Sequence, residues 1–204
     1  MCGILFTAGY SYSISERILM NLKNNDNFKN YFTAVLSCLA AVFADQLTKW
    51  LAVTYLKGKD AFVLIPGVLE FQYLENRGAA LGIFRDRQIF FIIGAIVVFI
   101  FVCYYYGKIP SAPRYLPLKV SAVLVTAGAA GNLIDRVTLN YVVDFIYFSL
   151  IDFPIFNIAD CYVVVACFLF AFLIFFYYKE EDLACFSFAK NKDNRNEKCD
   201  GRKG

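Results

Sequence analysis

Apolar positions along this chain do not alternate and do not keep to one helical face; they run together. Four stretches, at approximately 32–56, 88–106, 116–135 and 157–178, are apolar almost throughout. Each has about the ~20 residues that an α-helix needs to cross ~30 Å of hydrocarbon. The second, QIFFIIGAIVVFIFVCYYY, carries no charge, and the fourth, NIADCYVVVACFLFAFLIFFYY, carries one, Asp160, near its start. Helices buried in a soluble protein would show polar faces, and these do not. The pattern therefore predicts four transmembrane helices. Between the first two lies AFVLIPGVLEFQYLENRGAALGIF, with short β-like pieces at Phe62–Ile65 and Leu69–Tyr73 around Pro66-Gly67. Val68 to Tyr73 partly alternates, which predicts a small sheet lying on the membrane surface. Asn76, Gly78 and Gly82 then lead toward the second segment, where glycine permits close backbone approach or positive φ. The expected fold class is an all-α membrane protein: four transmembrane helices with a small extracytoplasmic β-sheet.

Composition agrees with this class. The 204 residues are 59% hydrophobic with mean hydropathy +0.54, against about 45–50% apolar for a soluble domain. Lys and Arg set the expected orientation. The N-terminal stretch has Arg17, Lys23 and Lys29, the short loop GKIPSAPRYLPLK has Lys108, Arg114 and Lys119 with no acid, and the tail from Lys179 onward is rich in both signs. The positive-inside rule puts both termini and the 107–119 loop in the cytoplasm, with the 57–87 and 136–156 connections outside. The net charge of +3 is divided between compartments and gives no case for nucleic acid. Residues 1–30 lack the basic start and apolar core of a cleavable signal peptide, so the first segment is expected to be its own uncleaved targeting signal. The three expected parts are an N-terminal extension, 1–30, a four-helix membrane domain, 31–178, and a charged, disordered tail, 179–204.

Cysteine and histidine narrow the chemistry. The seven cysteines show no CxxC and no metal spacing, which argues against a disulfide framework or a zinc site. Cys38 follows VLS in a faint lipobox-like string, but too little apolar sequence precedes it, and it is expected to pack in a helix. There is no histidine. That excludes Ser-His-Asp and Cys-His mechanisms, so an acid and a base would have to be carboxylates.

Polar residues gather at one membrane face. Asp45, Gln46, Thr48 and Lys49 lie inside the first apolar span. Asp45 and Lys49 are i,i+4 neighbours that can pair on a helix, although Lys49 could instead snorkel to the interface. The third segment ends in TAGAAGNLIDR. Gly128 to Gly131 form a small-residue surface for close helix approach. Asn132, Asp135 and Arg136 follow on one helical face, and Arg136 beside Asp135 suggests an ion pair. Asp144 lies in a short apolar piece before the fourth segment. Asn157 is an expected N-cap, and Asp160 in the first turn also suits the helix dipole. Asp152, next to Phe153-Pro154, reads as a turn residue.

Ionisable groups at a membrane boundary pair or work. Two close carboxylates cannot both ionise easily and share one proton. The ionised member can take a proton from attacking water while the protonated one polarises a carbonyl and later feeds the leaving amine. A transporter could also hold such acids as cation or proton sites, although here they gather at one face and no internal repeat is evident.

The motifs DQLTKW, NRGAALG, GNLIDR, VVDF and FPIFNIAD occur in this order from about residue 42 to 165. Together they resemble lipoprotein signal peptidase, the type II signal peptidase of bacteria. The resemblance implies an aspartic endopeptidase of the bacterial cytoplasmic (inner) membrane with its site at the outer face. It implies that signal peptides are removed from diacylglyceryl-modified prolipoproteins just before the lipidated cysteine. It carries catalytic roles to Asp144 and Asp160, and supporting or substrate-binding roles to Asp45, Asn76, Asn132, Asp135, Arg136 and Asn157. No metal or organic cofactor, a monomer in contact with membrane lipid, and inhibition by globomycin-type peptides are further expectations. An inactive homologue is the remaining alternative. Two positions depart from the family pattern: Leu81 stands where Phe is usual, and Asn140 where Gly is usual. Asn tolerates left-handed φ better than other non-glycine residues, so the turn is expected to survive.

Overall fold

The computed structural model describes residues 14–78, 88–183 and 186, with side chains described from Phe28 onward. Gly82, Leu81, Cys2, Cys185, Cys199, residues 1–13 of the N-terminal extension and most of the tail lie outside the described residues.

Among the described residues four helices are long and apolar enough to cross a membrane: Phe28–Leu56, Gln88–Tyr106, Pro113–Leu139 and Ile158–Tyr177. The first belongs to a longer helix, α1 (Ile14–Leu56). A two-stranded hairpin follows, β1 (Phe62–Ile65) and β2 (Leu69–Asn76). Gly67, at φ +70, makes its turn, a conformation that costs glycine little. α2 (Gln88–Tyr106) has no buried residue, as suits a helix whose surroundings are hydrocarbon rather than protein. A 3-10 turn (Pro113–Tyr115) leads into α3 (Leu116–Leu139), with proline in its first turn, where no backbone donor is needed. β3 (Val142–Tyr147) and a second 3-10 turn (Ser149–Ile151) precede α4 (Ile158–Phe172). α4 continues as a π-helical turn (Leu173–Tyr177), and α5 (Glu180–Leu183) closes the described chain.

α3 is the central helix; it packs on α1, α2 and, most extensively, α4. Small residues permit this. Ala127, Ala159 and Ala166 are fully buried. A Cβ on Gly128 would lie 2.5 Å from the Ala159 carbonyl oxygen, and one on Gly131 would collide with the Asp45 carboxylate. Without a hydrophobic drive between helices in lipid, such close contact is what holds them. Large apolar side chains point outward instead, among them Phe43, Trp50, Ile100, Phe168, Phe175 and Phe176.

The strands form one antiparallel sheet in the order β1-β2-β3. β3 is a third strand beyond the two that the alternation at 62–73 indicates. VVDFIY is β-branched and aromatic except for Asp144, and such a run does not announce a strand by period alone. The sheet packs on the end of α1 through Ala52, Val143 and Phe145. At the far end of the bundle a second cluster joins Tyr115, Leu118, Leu173 and Tyr178.

Candidate active site

Two short connections bring the carboxylates together. α3 ends at Asn140, whose φ of 62° is left-handed and whose N–H donates to the Arg136 carbonyl at 3.2 Å. The chain therefore reverses within a few residues, and β3 runs back beside the helix end. Asp135 secures the reversal by accepting the Val143 N–H at 3.1 Å. Next, Phe156 bridges to Ile146, so the residue after it, Asn157, starts α4 beside β3.

Asn157 is the hub of the site. Its side-chain oxygen accepts the Asp160 N–H at 3.0 Å, and Asp160 accepts the Asn157 N–H at 3.2 Å, a reciprocal capping box. The same side chain donates to Asp144 Oδ1 at 2.6 Å and to Asn132 Oδ1 at 3.1 Å. Asn132 in turn donates to Asp160 Oδ1 at 2.8 Å. Asn76 donates to Asp144 Oδ2 at 2.8 Å. β-Register explains that reach: Leu74 pairs with Asp144, so Asn76, two residues on, is a diagonal neighbour on the same face. Both oxygens of each aspartate are thus held by amide donors from α3, α4 and the sheet. Asp144 is 1% exposed, whereas Asp160 is half-buried. Burial first, and the nearby charge of Asp160 second, push the Asp144 carboxyl up to about 7, against the pull of its bonds to Asn76 and Asn157.

Beneath this pair lies a second layer whose charged members, Asp45, Lys49 and Asp135, are buried. Lys49 Nζ is 2.8 Å from Asp45, 3.1 Å from Asp135 and 2.9 Å from Asn132 Oδ1. Lys49 is 3% exposed, so it does not snorkel. Asp45 also accepts the Ala159 N–H at 2.9 Å, which ties α1 to the start of α4. Gln46 donates to Asp135 at 2.9 Å and to the Gly131 carbonyl at 3.1 Å. One ammonium between two carboxylates, each with further donors, satisfies a layer that would otherwise be costly to bury.

One expectation is corrected here. Asp135 pairs with Lys49, not with Arg136. Consecutive positions on a helix diverge by about 100°, and Arg136 turns toward α2. Its guanidinium lies 4.5 Å from the Phe91 ring centroid and donates to the Asn132 carbonyl at 3.3 Å. Its buried Nε has no hydrogen-bond partner. Gln46 stands out in the sequence only as a polar residue in an apolar span, and Lys49 as an i,i+4 partner for Asp45; their role in joining α1 to α3 needed the fold. Asp152 lies apart, exposed at φ 48° and accepting the Tyr147 hydroxyl at 2.7 Å. Among the described residues no group of three or more His, Cys, Asp or Glu is arranged to hold a metal.

A carboxyl that titrates near neutrality beside a second acid, in a poorly solvated niche, is equipped for proton transfer at working pH.

Comparison with known proteins places this geometry in context. The family model described as signal peptidase (SPase) II matches residues 37–176. A lipoprotein signal peptidase of Clostridium tetani is 41% identical over 150 residues, covering 72% of this chain and 93% of that protein. That of Caldanaerobacter subterraneus is 40% identical over 144 residues, covering 70% and 96%. Two solved structures, each described as a bacterial membrane enzyme determined by the in meso method, superpose with TM-scores of 0.63 and 0.62. They are 33% and 35% identical, covering 78% and 72% of this chain and 94% of each of theirs.

Proposed function

Because the chain belongs to the signal peptidase II family, we propose that it removes signal peptides from diacylglyceryl-modified prolipoproteins, using Asp144 and Asp160 as an aspartic dyad. The observation that carries the dyad is the shared clamp: Asn157 donates its side chain to Asp144 and its backbone N–H to Asp160.

In the mechanism, the pair holds one proton before attack. That proton belongs to the pair. The ionised carboxylate takes a proton from a water molecule as its oxygen adds to the scissile carbonyl. The protonated carboxyl donates a hydrogen bond to the carbonyl oxygen and stabilises the tetrahedral oxyanion. Collapse of that intermediate breaks the C–N bond, and the proton passes to the leaving amine of the lipidated cysteine. Asn76, Asn132 and Asn157 fix the carboxylate oxygens, so little reorganisation accompanies the charge movement. Asp45, Asp135 and Lys49 hold the helices that carry those amides. Arg136 retains an unsatisfied Nε, which suits a donor that gains its partner when a peptide carbonyl arrives.

The substrate reaches the site from the bilayer, with its acyl chains in hydrocarbon. The exposed apolar faces of the four membrane-spanning helices support that route. The inner membrane of a bacterium, with the site at its outer face, fits the Lys and Arg distribution. A monomer inhibited by globomycin-type peptides completes the reading.

The test is cleavage of a diacylglyceryl-modified prolipoprotein by the purified chain. Asp144→Asn and Asp160→Asn should each lower the rate by about 10²–10⁴-fold or more, with the protein still folded in detergent. Asp152→Asn, at an exposed turn, should stay within about twofold of wild type, as expected for a surface change. Cleavage that survives both dyad changes would remove the mechanism.

A further inference from the structure

At the end of the bundle remote from the aspartates, one lysine is in the wrong place for an ordinary surface charge. Lys119 is 9% exposed. It lies in the first turn of α3, where the helix dipole is positive and disfavours a cation, and that turn contains no acid. Among the described residues no carboxylate is within ion-pairing distance of it. The other deeply buried lysine, Lys49, has two carboxylates. An ammonium on a side chain largely shielded from water, without an anion, is costly, and the cost falls when one arrives.

Beside Lys119 is a cavity of about 40 Å³, lined by Asn30, Tyr31, Tyr106, Gly107, Ile109 and Ser111. A water occupies at least ~10–15 Å³ on this measure, so the space suits a few waters or the oxygens of one small anion. Its walls offer donors and no acid. Asn30 donates its amide to Ser111 Oγ at 3.0 Å, and the Tyr106 hydroxyl donates to the Asn30 carbonyl at 3.5 Å. Gly107 leaves room for Tyr31, since a Cβ there would lie 2.8 Å from the Tyr31 hydroxyl and displace it. Tyr104, Tyr106, Tyr115 and Tyr178 gather at this end. Such an aromatic belt marks the depth of lipid headgroups. Asn132 is thirteen residues further along α3, or about 20 Å at ~1.5 Å per residue, so this pocket is separate from the dyad.

We infer that this pocket binds a phosphate-class anion, in the membrane the headgroup phosphate of an anionic phospholipid, with Lys119 as its countercharge. The phosphate oxygens accept from the ammonium, the Asn30 amide and the tyrosine hydroxyls. The acyl chains then lie along the exposed surfaces of α1 and α2.

The experiment is lipid binding to the full chain, purified in neutral detergent, read by native mass spectrometry and thermal unfolding. The probes are phosphatidylglycerol, phosphatidylcholine and inorganic phosphate. Phosphatidylglycerol should bind wild type and raise its unfolding temperature, with phosphatidylcholine giving a smaller effect. In Lys119→Met the binding should weaken about tenfold or more, as for loss of a charge-assisted bond. Asn30→Leu, which fills the cavity and spares the lysine, should weaken it as well. Lys59→Gln, which removes one charge from a loop near the sheet, should bind like wild type. Equal protection by millimolar inorganic phosphate would assign the pocket to free phosphate, and protection by the lipid alone assigns it to the headgroup. Equal lipid binding by wild type and Lys119→Met, or none by wild type with either probe, would overturn the site and leave water in the cavity. Loss of an unpaired buried charge is not expected to unfold the chain.

Discussion

Asn157 shows how much chemistry one amide can organise. Its place before an apolar helix announces a cap, and the capping box is present. Its second task, clamping Asp144, depends on the Phe156–Ile146 bridge, which no local pattern reveals. Lys49 gives the opposite lesson. An i,i+4 partner for Asp45 could be read from spacing, but the pairing with Asp135 joins residues far apart in the chain and required α1 and α3 to be packed. Arg136 follows Asp135 in sequence but not on the helix surface, so the suggested ion pair gives way to Asp135–Lys49. Asp144 sets the pH behaviour. With its carboxyl pushed up to about 7, the dyad loses its shared proton as pH rises through that value. The cleavage rate should therefore fall above about 7, and a rate that stays flat to pH 9 would contradict the proton's role. Stability moves the same way. The folded chain retains a proton that the unfolded chain releases nearer the ordinary carboxylate value, so folding is weakened as pH rises across that interval.

The four membrane-spanning helices were legible because hydrocarbon demands length and apolarity together. α2 begins and ends where its uncharged run does, and α1 extends well before its apolar part, because nothing in helical geometry stops it at the membrane edge. The hairpin was legible from Pro66-Gly67, and β3 was not, because its apolar run has no alternation. Asn140 was legible as a tolerated departure, and its left-handed φ bears this out. The TAGAAG stretch was legible as a close-approach surface, and its partners prove specific: Gly128 faces the Ala159 backbone and Gly131 faces Asp45. Gly131→Ala should push α1 from α3 and disturb the Lys49 layer. A loss of about 1–3 kcal/mol is expected from overpacking of this kind, read as a lower unfolding temperature in detergent and reduced cleavage. Gly94, with open space around its added Cβ, is the control: Gly94→Ala should be neutral or slightly stabilising.

Across the whole molecule, one end carries the sheet and the dyad and the other carries the tyrosines and Lys119. The Lys and Arg pattern predicts which end faces which compartment. In a variant cleared of native cysteines, Lys59→Cys should react with a membrane-impermeant thiol reagent applied to intact spheroplasts. Ser111→Cys should react only after lysis. The reverse labelling would invert the molecule and the route by which substrate arrives. The site around the dyad draws on the first, third and fourth membrane helices and on two strands, and Asp160 opens the last of those helices. Synthesis delivers that residue late. A nascent chain with three helices in the bilayer already holds Asp45, Asn76, Asn132 and Asp144, yet it has neither Asp160 nor the Asn157 clamp. With the proposed dyad of Asp144 and Asp160, hydrolytic competence is withheld until insertion is nearly finished. A protease with that dyad is timed by its own translation.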